Sequence, residues 1–246
     1  MKIKTILAIL LLLLITAGAG FVLWASNPLG PMPEAQAAMS SDSQVQVEVG
    51  DYFVFSPLQS NPVTGAIIYP GGRVDPRAYA PLAKEIAARG YLVVIAPMPL
   101  NLAVFGADQA GEVIQSYPQI ERWAVGGHSL GGAMVARYAF RHPGQVSGLF
   151  LWAAYPASSD DLSNQNLTAV SISGTLDGLA TSEKIEASRP LLPASTRWVA
   201  IDGGNHSQFG WYGPQGGDNG ASVDHLTQQT QIVAATTALM DLIAAH

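Results

Sequence analysis

Six short apolar runs are strung along the chain with helical segments between them: Gly65–Tyr69, Tyr91–Ala96, Trp123–Gly127, Val146–Trp152, Val170–Gly174 and Thr196–Ile201. Each is too short for a core helix and too uniformly apolar for a strand with one wet face, so each reads as a strand buried on both sides. Between them, Pro76–Arg89 places Tyr79, Leu82, Ala83, Ile86 and Ala87 on one helical face, with Gly90 set to stop it. Asp108–Tyr117, Gly132–Arg141 and Ser182–Leu192 continue the alternation, with Ser182 positioned as a cap, and Ser222–Ala245 is a long helix-permissive tail. Upstream, Val45, Val47 and Val49 alternate with polar residues as a half-buried strand does, and Tyr52–Phe55 is its continuation or a hairpin partner. This order implies a mostly parallel central sheet with helices on both faces. Such sheets bind ligands at the carboxyl ends of their strands, so the loops that follow strands are where chemistry is expected.

The chain has 246 residues, 48% hydrophobic and 12% charged, a balance that suits one large core and no disordered domain. Its formal net charge of -6 and the lack of a basic stripe argue against nucleic acid as a partner. There is no cysteine, which removes disulfides, thiolate metal sites and a cysteine nucleophile. No metal-ligand spacing and no phosphate-binding glycine loop with a following lysine are present, so neither a metal nor a cofactor is expected. Lys2 and Lys4 precede an uncharged apolar run, Ile6–Ala25, the pattern of a signal peptide or a signal anchor. Cleavage at Ala17-Gly18-Ala19 would leave Phe21–Trp24 on the mature end, and Ala35-Gln36-Ala37 lies far from the apolar centre, which tilts the reading towards an uncleaved anchor. The domain plan is then 1–25 signal peptide or anchor, 26–43 linker with Pro28, Pro31 and Pro33, and 44–246 the folded α/β domain, held outside the cytoplasm.

Gly127-His128-Ser129-Leu130-Gly131-Gly132 stands between a strand and a helix. A serine on so sharp a turn projects its hydroxyl above the sheet at a helix N-terminus, and glycine on either side lets strand and helix approach closely. Ser129 is therefore the candidate nucleophile, and the Leu130 N–H a candidate oxyanion donor. The alternative is a glycine-rich turn with an incidental serine.

A serine hydroxyl needs an imidazole to take its proton. His128 adjoins Ser129 in sequence and reads as a packing or loop-positioning residue. His142 ends the following helix, His225 falls in the helical tail, and His246 is the last residue. His206 follows a strand within Asp202-Gly203-Gly204-Asn205-His206, at the reacting edge, and is the candidate base. Asp177, in Gly174-Thr175-Leu176-Asp177-Gly178, gives the chain order nucleophile, acid, base and is favoured over Asp202, which an Asx turn explains.

With these residues in hand, the chain resembles the α/β-hydrolase superfamily over about Val45–His246. Tyr69-Pro70-Gly71-Gly72, the Ser129 motif, Gly174-Thr175-Leu176-Asp177 and Gly203-Gly204-Asn205-His206 look like its dienelactone-hydrolase-like and small-esterase branch. The resemblance implies an α/β-hydrolase fold, with Gly72 or its neighbour Arg73 supplying the second oxyanion N–H. Pro70 departs from the histidine common at that place, and the cysteine nucleophile of dienelactone hydrolases is absent. Only Ala153–Ala169 is available for a lid, so no large cap domain is expected.

The implied function is hydrolysis of a carboxylic ester through an acyl-enzyme on Ser129. Amide, lactone or thioester cleavage on the same residues, and a non-catalytic anchored binding module, are the alternatives. The partner is a small-molecule ester or acyl substrate, with the membrane as a second if the leader is uncleaved; no protein partner is implied. Phe209, Trp211 and Tyr212, in the loop after His206, either wall a substrate pocket or anchor the loop to the core. Arg73 is the candidate for an acidic substrate group, against the plainer reading of a solvated side chain.

Overall fold

The computed structural model describes residues 2–245. Helix α1 (Lys2–Ala25) precedes a short helix α2 (Pro33–Ala38), and the rest alternates: β1 (Val45–Val49), β2 (Phe53–Pro57), β3 (Thr64–Tyr69), α3 (Ala80–Ala87), β4 (Leu92–Ile95), α4 (Gln109–Ser116), β5 (Arg122–His128), α5 (Leu130–Arg141), β6 (Gly148–Trp152), β7 (Thr168–Gly174), α6 (Ser182–Ala187), β8 (Arg197–Ile201) and α7 (His225–Ala244). The strands form one sheet in the order β1-β2-β4-β3-β5-β6-β7-β8. β1 and β2 make an antiparallel hairpin, β2 runs antiparallel to β4, and every later pairing is parallel. Tyr52–Phe55 thus belongs to the hairpin partner of the first strand, not to its continuation.

Successive strand residues point to opposite faces, which is why the runs are apolar throughout. Ala66 and Ile68 enter one core with Ala83, Ile86, Ile232 and Leu239 from α3 and α7. Ile67, Val125, Leu149 and Leu151 enter the other, with Val113 of α4 and Val135 and Ala139 of α5. The chain leaves β3 for β4 on one side, and β5 then lies against the other side of β3. That reversal opens a crevice at the carboxyl ends of β3 and β5.

Two helical segments are broken where proline dictates. Pro76–Tyr79 is a tight 3-10 turn capped by the Asp75 carboxylate, and α3 starts anew with Pro81 in its first turn. α6 stops at Ala187 ahead of Pro190, and its N-cap is Thr181, with Ser182 already helical. Between β6 and β7, residues 153–167 carry neither helix nor strand, and no large cap covers the sheet edge.

The stretch 26–43, whose prolines suggest a linker, is laid onto the domain. Leu29 bridges Val74, the Met32 N–H donates to the Trp211 carbonyl, and Ala35 of α2 is fully buried. Its contacts come from isolated side chains, without a period that sequence inspection detects. Ile3–Ala25 is long and apolar enough to cross a membrane and stands exposed up to its last turn.

Candidate active site

β5 ends at His128, and α5 begins at Leu130, so the whole strand-to-helix reversal falls on Ser129. Its φ of 52° and ψ of -120° are strained for a residue with a Cβ, and the surrounding packing holds them. The glycines are steric necessities: a Cβ on Gly131 would lie 2.3 Å from the Tyr69 carbonyl oxygen, and one on Gly127 would lie 2.6 Å from it. Ser129 is half-buried and lines a cavity of about 290 Å³ with Leu130, Ala133, Ala153, Ala154, Tyr155, Leu179, Ala180 and His206.

His206 reaches this cavity from the loop after β8, and Asp177 stands in the loop after β7. The carboxylate Oδ2 of Asp177 accepts a hydrogen bond from His206 Nδ1 at 2.8 Å, and both side chains are buried. Asp177 Oδ1 accepts from the N–H groups of Leu179 (2.8 Å) and Ala180 (2.7 Å), so both carboxylate oxygens are engaged. A carboxylate only accepts, so Nδ1 carries a hydrogen, and Nε2 is the nitrogen left to exchange a proton. Nε2 is buried and has no hydrogen-bond partner among the described residues. Ser129 and His206 line the same cavity without a hydrogen bond between them among the described residues, and such bonds often form only when substrate is present.

The loop after β3 supplies donors from the opposite side. The Gly71 N–H donates to the Tyr79 hydroxyl at 2.9 Å, and the Arg73 N–H to the Asn101 carbonyl at 2.7 Å. Gly72 keeps the unspent N–H of this loop among the described residues. A Cβ built on Gly72 would lie 3.1 Å from Leu130 Cδ2, so the loop after β3 packs against the side chain of Leu130, the first residue of α5.

His128 is fully buried. Its ring centroid lies 4.4 Å from that of His206, and its ring stacks on Phe209. The Tyr79 hydroxyl accepts from the Gly71 N–H and shares a 2.8 Å hydrogen bond with His128 Nδ1. Burial first and the His206 ring second hold the His128 pKa well below 6.5, against a smaller pull from the His206 backbone. Burial likewise raises the Tyr79 phenol above its usual range. His128 is thus a neutral packing residue joined to the Gly71 loop, in keeping with its position beside the serine.

The other candidates lie elsewhere. Asp202 is exposed and accepts only a long hydrogen bond from Thr175. His142 faces Asp108, His225 stacks on Trp211, and His246 lies outside the described residues. The aromatic loop anchors itself to the core and does not wall the cavity. Phe209 is buried on His128, Tyr212 donates to Gln215, and the Trp211 N–H donates to the Ala78 carbonyl. Arg73 is turned away from the cavity: its guanidinium donates to the Trp24 and Asn27 carbonyls and lies 4.2 Å over the Trp24 ring. The carbonyls at the end of α1, in need of donors, claim it before any substrate does.

Asp218 is the positioning residue that sequence reading missed. Its carboxylate accepts from the N–H groups of Gly178, His206 and Ser207, tying the acid loop to the base loop. Gln228 of α7, fully buried, pairs both ways with the Asn205 backbone. An aspartate in the glycine-rich run Gly216–Gly220 signals a turn and gives no hint of which amides it faces.

A family model described as alpha/beta hydrolase matches residues 65–230. The chain belongs to the α/β-hydrolase family. No curated protein sequence matches it. Among solved structures it is similar to the thermophilic esterase Est2 of Thermogutta terrifontis, at a TM-score of 0.59 and 14% identity over 81% of this chain and 93% of that one. A Thermoplasma acidophilum protein named as a CIB-like hydrolase aligns at a TM-score of 0.61 and 13% identity, over 80% of this chain and 98% of the other. A Klebsiella pneumoniae protein assigned by name as a dienelactone hydrolase aligns at 0.59 and 13%, over 77% and 92%. At these identities the likeness is one of fold.

Proposed function

We propose that this hydrolase is a serine enzyme that cleaves a carboxylic ester, with Ser129 as nucleophile, His206 as base and Asp177 as the acid that orients it. The observation that carries the reading is the buried 2.8 Å contact between Asp177 and His206 Nδ1, which leaves Nε2 to exchange a proton in the cavity that Ser129 lines. Ser129 Oγ attacks the ester carbonyl while its proton passes to Nε2, and Asp177 stabilises the imidazolium. The oxygen that turns negative sits between the N–H groups of Gly72 and Leu130. Nε2 then returns the proton to the departing alcohol, leaving an acyl group on Ser129, and water removes that group by the same steps in reverse.

The neighbours support an ester in particular. Est2 of Thermogutta terrifontis has been solved with propionate and with butyrate bound, and phosphorylated by paraoxon. The uncapped, mostly apolar cavity suits a small acyl group. The leader is read as an uncleaved signal anchor, which places the domain outside the cytoplasm. A fluorophosphonate probe tests the chemistry. It should label the native chain and not Ser129→Ala, whose kcat on p-nitrophenyl esters should fall by about 10⁶-fold with folding intact. Equal labelling of both proteins would refute the nucleophile, and faster turnover of matched anilides than of esters would move the reading to an amidase.

A further inference from the structure

We propose that the catalytic edge of the sheet faces a lipid bilayer, with α1 inserted and Val104 and Phe105 seated in its interface, and that the substrates are esters dissolved in that bilayer. The substrate half rests on the hydrolase reading above; the docking half does not.

α1 ends on the domain itself. A free tether would leave its last turn unbound, but here the turn is clamped. Arg73 donates to the Trp24 and Asn27 carbonyls, and the Asn101 amide donates to the Ala25 carbonyl at 2.9 Å. Ala25 is fully buried, and the Leu29 N–H donates to the Arg73 carbonyl. Arg73, Leu100 and Asn101 all hold left-handed backbone, with φ between 53° and 55°. Three non-glycine residues in that conformation mark a segment that its surroundings must over-determine. Arg73 belongs to the loop after β3, and Leu100 and Asn101 to the loop after β4. Both loops stand on the same carboxyl edge as Ser129, so α1 leaves the domain from its catalytic end.

With 24 residues, α1 is about 36 Å long, enough for a hydrocarbon core of about 30 Å. Lys4 marks its far end, while Phe21 and Trp24 lie next to the domain. Aromatic residues at that level are what a headgroup boundary selects. Phe21 sets its ring edge-on to Phe105 at 6.2 Å, and Val104 and Phe105 are 48% and 54% exposed. The apolar surface of the anchor therefore continues onto the domain. It stops near the cavity, since Leu102 of the same loop lies against Gly72, which lies against Leu130. A helix held this way carries the cavity mouth to the lipid surface, where an apolar ester is already concentrated.

The absence of cysteine allows a clean test on the full chain. Val104→Cys and, at the opposite end of the sheet, Asn166→Cys each take one environment-sensitive fluorophore, and the protein is reconstituted in phosphatidylcholine vesicles. The 104 label should shift to the blue and be quenched by spin-labelled lipid, and the 166 label should do neither. Equal behaviour of the two labels overturns the docking, and so does a 104 label shielded from lipid in a dimer, which would assign this face to a second copy of the chain. In the activity arm, Val104→Asp should leave hydrolysis of aqueous p-nitrophenyl acetate within about twofold and lower hydrolysis of vesicle-borne p-nitrophenyl laurate by about tenfold. Equal loss on both substrates, or no turnover of laurate by the native chain, overturns the substrate class. Failure of fluorophosphonate to label Ser129 would sink the hydrolase reading and leave the depth measurement standing.

Discussion

Two walls of loops at the carboxyl edge of the sheet are held in place by different means. The acid and base loops are fastened within the domain: Asp218 gathers amides from both, and Gln228 pins Asn205 from α7. The loop after β3, Gly71–Arg73, proposed above as the donor loop, is fastened on one side by Tyr79 and on the other by Trp24, Asn27 and Leu29, residues of the leader and its exit. One wall would survive removal of the N-terminus, and the other would lose half its support. The apolar N-terminal helix and its exit thus also shape the proposed site.

The largest expected effect lies on the self-contained wall. Asp177→Asn should lower kcat by about 10⁴-fold, as wrong-tautomer variants do, whereas Asp202→Asn should leave it within about twofold, since Asp202 is exposed and pairs with Thr175, not with the imidazole. Steady-state turnover of one soluble ester by both variants decides it, and a reversed order would hand the acid role to Asp202.

Next comes the leader-dependent wall. Deleting residues 1–20 keeps every contact to Arg73, and deleting 1–31 removes Trp24, Asn27 and Leu29. The shorter deletion should retain turnover of a soluble ester. The longer one should lose about 10²-fold in kcat, the scale of a misplaced oxyanion donor. Equal rates for the two would show that the donor loop stands alone and would erase the contrast between the walls.

A smaller effect is expected at the link between donor loop and core. Tyr79→Phe strands the Gly71 N–H and His128 Nδ1 in a buried site, which should cost about 2 kcal/mol of stability. Urea unfolding reads this directly; an unchanged midpoint would mean that water replaces the hydroxyl.

Much of this was legible in the sequence because it was written locally or in chain order. The alternation of apolar runs and helices announced the sheet, and the Ser129 turn carries its own steric signature. Asp177 and His206 followed from standing after strands in the right sequence. What stayed hidden acts across space through backbone amides. Nothing local distinguishes Asp218 from any other turn aspartate, and Tyr79 reads as one more core position of a helix. The aromatic loop was ambiguous in principle, because a ring that walls a pocket and a ring that anchors a loop have the same sequence. Neither reading of Arg73, a substrate contact or a solvated side chain, foresees its place for a related reason: its partners are main-chain carbonyls at the end of α1, nearly fifty residues upstream, and only the fold brings them together.

The mildest expected effect concerns His128, which both walls touch through Tyr79, His206 and Phe209. Its pKa lies well below 6.5 in the folded chain. Above that pH the imidazole is neutral folded and unfolded, and it contributes nothing to pH dependence. As pH falls below 6.5 the unfolded chain takes up a proton that the folded chain refuses, so stability declines by up to about 1.4 kcal/mol per unit. His225, also lowered by burial, adds in the same direction. His128→Asn removes the titration while its side-chain amide still pairs with Tyr79. Urea midpoints at pH 8, 6.5 and 5 should therefore fall less steeply in this variant than in the native chain. An identical slope would mean that His128 takes up its proton in the folded chain as readily as in the unfolded one, and that the two walls do not share a dry neutral imidazole between them.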